Sequence, residues 1–164
     1  MNTIVLEYIK AWYEEEVSRF EYVESKSGQL LNLLSALIVG FGAIVGLKQE
    51  ALLSPCTFID WCVLVLVFAT VICLLVSWWF ALASLKLGPC PAPSRERENI
   101  AYLTLEESDS YKHITDCYLD ATELLTPLVN KKAEKLNVSY QSMRLTFVLA
   151  TVASLIIFLK ELFT

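Results

Sequence analysis

One histidine, His113, stands among 164 residues, and the five cysteines show neither a CxxC nor a Cys/His spacing. That leaves no residue set at metal-ligand spacing and no Cys–His pairing at a recognisable nucleophile motif. Five glycines are too few and too scattered for a phosphate loop, and there is no GxGxxG, Walker loop, HExxH or calcium-loop pattern. His113, beside Lys112, reads as a solvated helix-face residue. Positive charge is also scarce: 13 Lys and Arg face 18 Asp and Glu, a net charge of −5. It divides as −3 for the N-terminal segment, −1 for residues 48–60, −1 for 86–144 and zero for the tail. Without a basic surface, binding of duplex nucleic acid is not expected. The chain is read as non-catalytic, with no cofactor and no metal.

Apolar residues are what the sequence has in excess: 55% are hydrophobic and the mean hydropathy is +0.52, above the range of a soluble domain. Charge is absent from residues 27–47, 61–85 and 145–159, which are 21, 25 and 15 residues long. At about 1.5 Å per residue the first two cross a hydrocarbon core roughly 30 Å thick. The third reaches only about 22 Å and borrows length from Arg144 and Lys160, whose charged heads can snorkel, and from Leu162 and Phe163. The expected fold is all-α: three transmembrane helices and a small cytoplasmic helical module, assembled as an oligomeric bundle. Its order is an amphipathic helix over 1–28, a first span over 29–48, a short outer loop over 49–60 and a second span over 61–86. A Pro-rich linker over 87–94, the helical module over 95–140 and a third span over 141–163 complete it. Residues 1–25 are acidic and lack a short apolar core with a small-residue cleavage site, so the first span is expected to stay as an anchor.

Orientation follows from basic residues outside the spans. Three precede the first span and eight lie between Lys86 and Arg144, against Lys48 and Lys160 alone on the other side. This distribution puts the N-terminus and the long middle segment in the cytoplasm and the C-terminus outside.

Local signals supply the joints. Ile4, Tyr8, Trp12, Phe20 and Val23 recur near helical spacing, with Glu14, Glu15 and Glu16 expected on the wet side. An acidic polar face favours packing against protein over anionic lipid. Thr57 with Asp60, and Thr104 with Glu107, have capping-box spacing. Tyr111, Ile114, Tyr118, Ala121, Leu125 and Leu128 form one stripe that about 45 residues cannot bury alone. It must lie on the N-terminal helix or on a neighbouring subunit. Pro127 is expected to kink or divide that helix. Cys56 alone should meet the oxidising side, where it is either a free thiol or a bridge between subunits. Asn137-Val138-Ser139 matches a glycosylation sequon on the predicted cytoplasmic side and carries no weight.

None of the three windows holds an ionisable residue, which argues against a transport pathway. The hydroxyls of Ser35, Thr70, Ser77, Thr151 and Ser154 are expected to bond mainly within their own helices. Gly42 and Gly46 form a GxxxG that Ser35 and Gly40 extend, a small-residue face for packing within the chain or between copies. A homo-oligomer is favoured. At the threshold of the first span, Glu24 and Lys26 point about 200° apart on a helix and cannot pair with each other. Lys26 can meet lipid phosphate or an acid. Glu24 needs a cation, with Lys132, Lys135 and Arg144 as candidates.

The stretch "YVESKSGQLLNLLSALIVG" resembles the first-span signature of Pycsar-type transmembrane effectors, in which an acid, a small residue and a lysine precede a small-small-apolar entry into the membrane. The resemblance continues through a second span, a Pro-containing linker, "IAYLTLEESDSY" and the lysine-led "KKAEKLNVSYQSMRLTF". Related membrane effectors of CBASS, retron or CRISPR-linked defence share the layout. The resemblance implies a bacterial inner-membrane antiphage effector whose activation by an infection-induced cyclic nucleotide damages the membrane and stops the infected cell. A phosphate site would then need Lys131, Lys132 and Lys135, and base stacking Tyr102, Tyr111 or Tyr118. Alternatives are a membrane sensor or scaffold that recruits a separate cytoplasmic effector protein, and a structural subunit of a larger membrane complex.

Overall fold

The computed structural model describes residues 3–47, 55, 57–93 and 107–163. Three helices account for nearly all of them: α1, Thr3–Leu47; α2, Phe58–Leu85; and α3, Glu107–Phe163. No strand occurs among the described residues. Each helix is long and apolar enough to cross a membrane. The 45 residues of α1 reach roughly 68 Å, over twice a hydrocarbon core of about 30 Å. The amphipathic segment and the first span are thus one continuous helix, as the lack of a breaker before Gly28 predicts.

Two of the local signals can be checked directly. Asp60 N–H donates to Thr57 Oγ1 at 3.3 Å and Thr57 N–H donates to Asp60 Oδ2 at 3.0 Å, the reciprocal bonds of a capping box at the start of α2. Thr104 lies outside the described residues. Pro127 does not divide α3, which runs through it. The carbonyl of Glu123, whose usual donor Pro127 lacks, lies on an exposed face where water can take the bond.

The buried positions follow a rule that the apolar pattern conceals. In α1 they are Glu16, Phe20, Val23, Ser27, Leu30 and Leu34; in α2, Val63, Thr70, Leu74, Ser77, Ala81 and Ser84. In α3, Thr115, Thr122, Leu125, Val129, Lys132, Leu136, Ser139, Thr146 and Ala153 are buried at the same spacing of threes, fours and sevens, and Ala121, buried beside Thr122, widens the face by one position. This is a heptad seam on every helix. Small and hydroxyl-bearing residues occupy most of the seam within the spans, while Val39, Ile44, Phe68, Ile72, Phe147 and Phe158 are exposed. Lipid is as apolar as leucine, so burial there selects side chains that let backbones approach and leaves large apolar groups outward.

The chain forms two compact units. One draws on Met1–Lys26 and Lys86–Ala133, the other on Ser27–Leu85 and Glu134–Thr164. In the first, α1 and α3 run in the same direction, as the pairings Tyr13–Tyr118 and Glu24–Lys132 require. Phe20, Leu125 and Val129 form its core, joined by Tyr13, Val17, Cys90 and Leu128. Of the stripe expected on α3, Tyr118, Leu125 and Leu128 therefore pack against α1 of the same chain. Gly88, at φ +71°, turns the chain after α2 in a conformation that a side chain would strain, and Tyr13 then fastens the linker by donating its hydroxyl to Pro91 O at 3.0 Å.

In the second unit, successive helices run antiparallel. Ser27 and Ser84 hydroxyls meet at 3.1 Å, and Trp78 Nε1 donates to Ser35 Oγ at 3.1 Å. Ser77 Oγ donates to Ser139 O at 2.8 Å and Ser139 Oγ returns the bond to Ser77 O at 2.6 Å. At the far end of α2, Lys160 donates to the Asp60 carboxylate. The expectation of own-helix hydroxyl bonds holds for Ser35, Thr70, Thr151 and Ser154, each bonded to the carbonyl four residues earlier. Ser77 is the exception and crosses to another helix.

Candidate functional site

In the first unit the seam carries ionised groups. Lys132 is 0% exposed, and its Nζ donates to Glu24 Oε1 at 2.8 Å while lying 3.9 Å from the centroid of the Phe20 ring. An ammonium in such surroundings requires a carboxylate and gains further from the ring face. The Glu24 side chain remains 41% exposed, so the pair is dry on the lysine side and wet on the glutamate side. Of the three cations expected for Glu24, Lys132 is the one that meets it. Lys135 is half-buried and Arg144 exposed, both in the second unit.

Lys26 departs in the other direction, as the helical angle requires. Its Nζ lies 5.6 Å from the ring centroid of Tyr22, itself an exposed residue. The two charges at the lipid threshold thus have different tasks: Glu24 ties α1 to α3, and Lys26 stays on the flank of α1.

Glu16 overturns one expectation. Expected on the wet side with Glu14 and Glu15, it is 5% exposed and occupies a seam position, its Oε1 accepting from Arg19 Nη1 at 2.7 Å. The heptad explains the difference: Glu16 stands one turn before Phe20 on the face toward α3, whereas Glu14 and Glu15 lie off it. Arg19 Nη2 also reaches Asn130 Oδ1 on α3, at 3.4 Å.

The residues considered for a nucleotide are not gathered into an open pocket. Lys131 is exposed, but Lys132 is buried on Glu24 and Lys135 falls in the other unit. Tyr118 packs edge to face on Tyr13, centroids 5.5 Å apart and planes at 72°, and Tyr111 is half-buried. Tyr102 lies outside the described residues. Tyr13 was not singled out by the apolar pattern, although it stands one heptad before Phe20.

Two thiols lie in this unit. Burial pushes the Cys90 thiol up, helped by the negative charges of Glu21 and Glu24, while Lys132 pulls the other way. Burial likewise raises the thiol of Cys117, with Asp120 and Asp116 adding to it, and its Sγ lies 3.8 Å from His113 Nε2. His113 is half-buried on α3. Both shifts oppose thiolate formation, the reverse of what a nucleophile needs. Cys56 lies outside the described residues.

The predicted small-residue face of the first span is split. Ser35 accepts from Trp78, but around Gly40, Gly42 and Gly46 no atom beyond the helix's own backbone lies within 4 Å of where a Cβ would stand. Gly42 borders an apolar recess of about 180 Å³ with Phe41, Val71 and Leu74 among its walls. None of the three glycines makes a close approach to another element among the described residues.

Comparison with family models, curated proteins and solved structures brings no match.

Proposed function

We propose that this chain is a membrane effector of bacterial antiphage defence, lying in the inner membrane with its N-terminus and charged unit in the cytoplasm and its C-terminus outside. A cytoplasmic signal, a cyclic nucleotide by the resemblance, shifts the packing of α1 against α3, and these helices, which continue into the spans, pass the change to the bilayer. The observation that carries this reading is the Glu24–Lys132 bond. A half-wet, half-dry ion pair between two helices has discrete made and broken states, and its Glu24 lies three residues before α1 enters its second unit at Ser27. The open faces of Gly40, Gly42 and Gly46 support assembly of several copies. No metal or cofactor is assigned.

The test is dye release from liposomes carrying the protein, with and without candidate cyclic nucleotides. Release that rises with one nucleotide and is lost in Glu24→Ala supports the effector. Permeability that never changes sinks it.

A sensor or scaffold is the second reading. Ile4, Tyr8 and Trp12 are exposed at four-residue spacing on α1 and offer an apolar stripe to a partner protein. Co-purification of a partner that is lost in Tyr8→Glu, with no membrane leak, favours it.

A further inference from the structure

Glu16 has a property that the Glu24–Lys132 pair does not share. Its Oε2 is buried without any hydrogen-bond donor, alone in this among the buried side-chain polar atoms of the described residues. Arg19 covers only Oε1, and the arginine side chain is itself 48% exposed. The two hydroxyls of the α3 seam in this unit are turned elsewhere. Thr115 Oγ1 donates to Tyr111 O at 2.7 Å and Thr122 Oγ1 donates to Tyr118 O at 2.8 Å, each within its own helix. One oxygen of an acid has thus left water when α1 packs on α3 and gained nothing in return, a penalty the packed state alone carries. A leucine at this heptad position would carry none.

We propose that Glu16 is a release point built into the charged unit. Packing of α1 on α3 is held below the stability its seam could reach, and separation of the two helices lets water hydrate Oε2. A signal that parts the helices then has a smaller gap to overcome, while Arg19 and the Glu24–Lys132 bond keep the unit closed without it. This inference deepens the proposed function and rests on its population shift, but its test does not depend on membrane damage.

The experiment is amide hydrogen exchange, read by mass spectrometry, on the full chain in nanodiscs of neutral and anionic phospholipid. Glu16→Leu is expected to slow exchange about tenfold over 3–26 and 107–133, where local opening governs it, and Glu16→Gln to slow it less. Peptides from 58–85 are expected to keep their rates. Slowing in either variant supports the release point, so Glu16→Gln decides if Glu16→Leu is not recovered helical by circular dichroism. Unchanged or faster exchange in both variants overturns it. Dye release from liposomes with the same variants separates the two ideas. Slowed exchange with reduced nucleotide-triggered release supports both, whereas slowed exchange with no dye release in the unsubstituted protein or in either variant keeps the release point and overturns the effector reading.

Discussion

The two units solve the same packing problem with different polar groups. In the unit of Ser27–Leu85 and Glu134–Thr164 neutral hydroxyls join the buried seam, Ser27 to Ser84 and Ser77 to Ser139, and the ion pair of this unit, Lys160 with Asp60, is confined to the start of α2, where neither partner is fully buried. In the other, the seam holds a lysine, a glutamate with one orphan oxygen, and a small core of Phe20, Leu125 and Val129. A serine pair satisfies its own donors and acceptors and tolerates a surrounding without water. An ion pair is stable only while both partners stay, and water on the Glu24 side offers a competing state. The hydroxyl seam is thus suited to persist and the charged seam to change.

The sharpest way to break this contrast is to strand the lysine. Glu24→Ala leaves the Lys132 ammonium buried without its carboxylate and is expected to destabilise the charged unit by about 3 kcal/mol, read as faster amide exchange over 107–133 with 58–85 unchanged. Equal acceleration in both units would dissolve the distinction. Replacing both partners, Glu24→Met with Lys132→Met, is expected to restore most of the loss.

Smaller effects belong to the hydroxyl seam. Ser77→Ala is expected to destabilise the other unit by about 1 kcal/mol, since Ser139 then lacks its partner hydroxyl; thermal melting in detergent measures it. A loss as large as that of Glu24→Ala would show that the hydroxyl contacts are not the milder device.

Gly42→Leu should leave the melting of a single chain nearly unchanged, because nothing beyond the helix's own backbone lies within 4 Å of the added Cβ. A change in assembly size, read by light scattering in detergent, would then place a neighbouring copy at this face. The smallest expected effect concerns Cys90. Its raised thiol pKa keeps the thiolate fraction below that of an ordinary cysteine at neutral pH, so alkylation should be slow at pH 7 and accelerate only above the usual thiol range. In Glu24→Ala the rise should begin at lower pH, because one of the charges opposing the thiolate is gone.

Much of this molecule is legible in its amino acids. The three charge-free windows dictate long helices, because a backbone in hydrocarbon must bond within itself. Thr57 and Asp60 mark where α2 starts, since their spacing matches the free N–H groups of a first turn. Lys132 was among three cations open to Glu24, but distance along the chain could not choose between them. The wet side assigned to Glu16 failed because apolar periodicity cannot find a seam in which acids, lysine and serine alternate with leucine.

The sequence by itself determined that three helices are long and apolar enough to span a membrane, that one begins at a capping box, and that Glu24 and Lys26 must seek separate partners. Tertiary structure alone decided which residues face one another: Lys132 for Glu24, Ser139 for Ser77, and no donor for Glu16 Oε2. Helix formation depends on neighbours within four residues, whereas these contacts join positions 62 and 108 residues apart, where the register of one helix against another fixes the outcome.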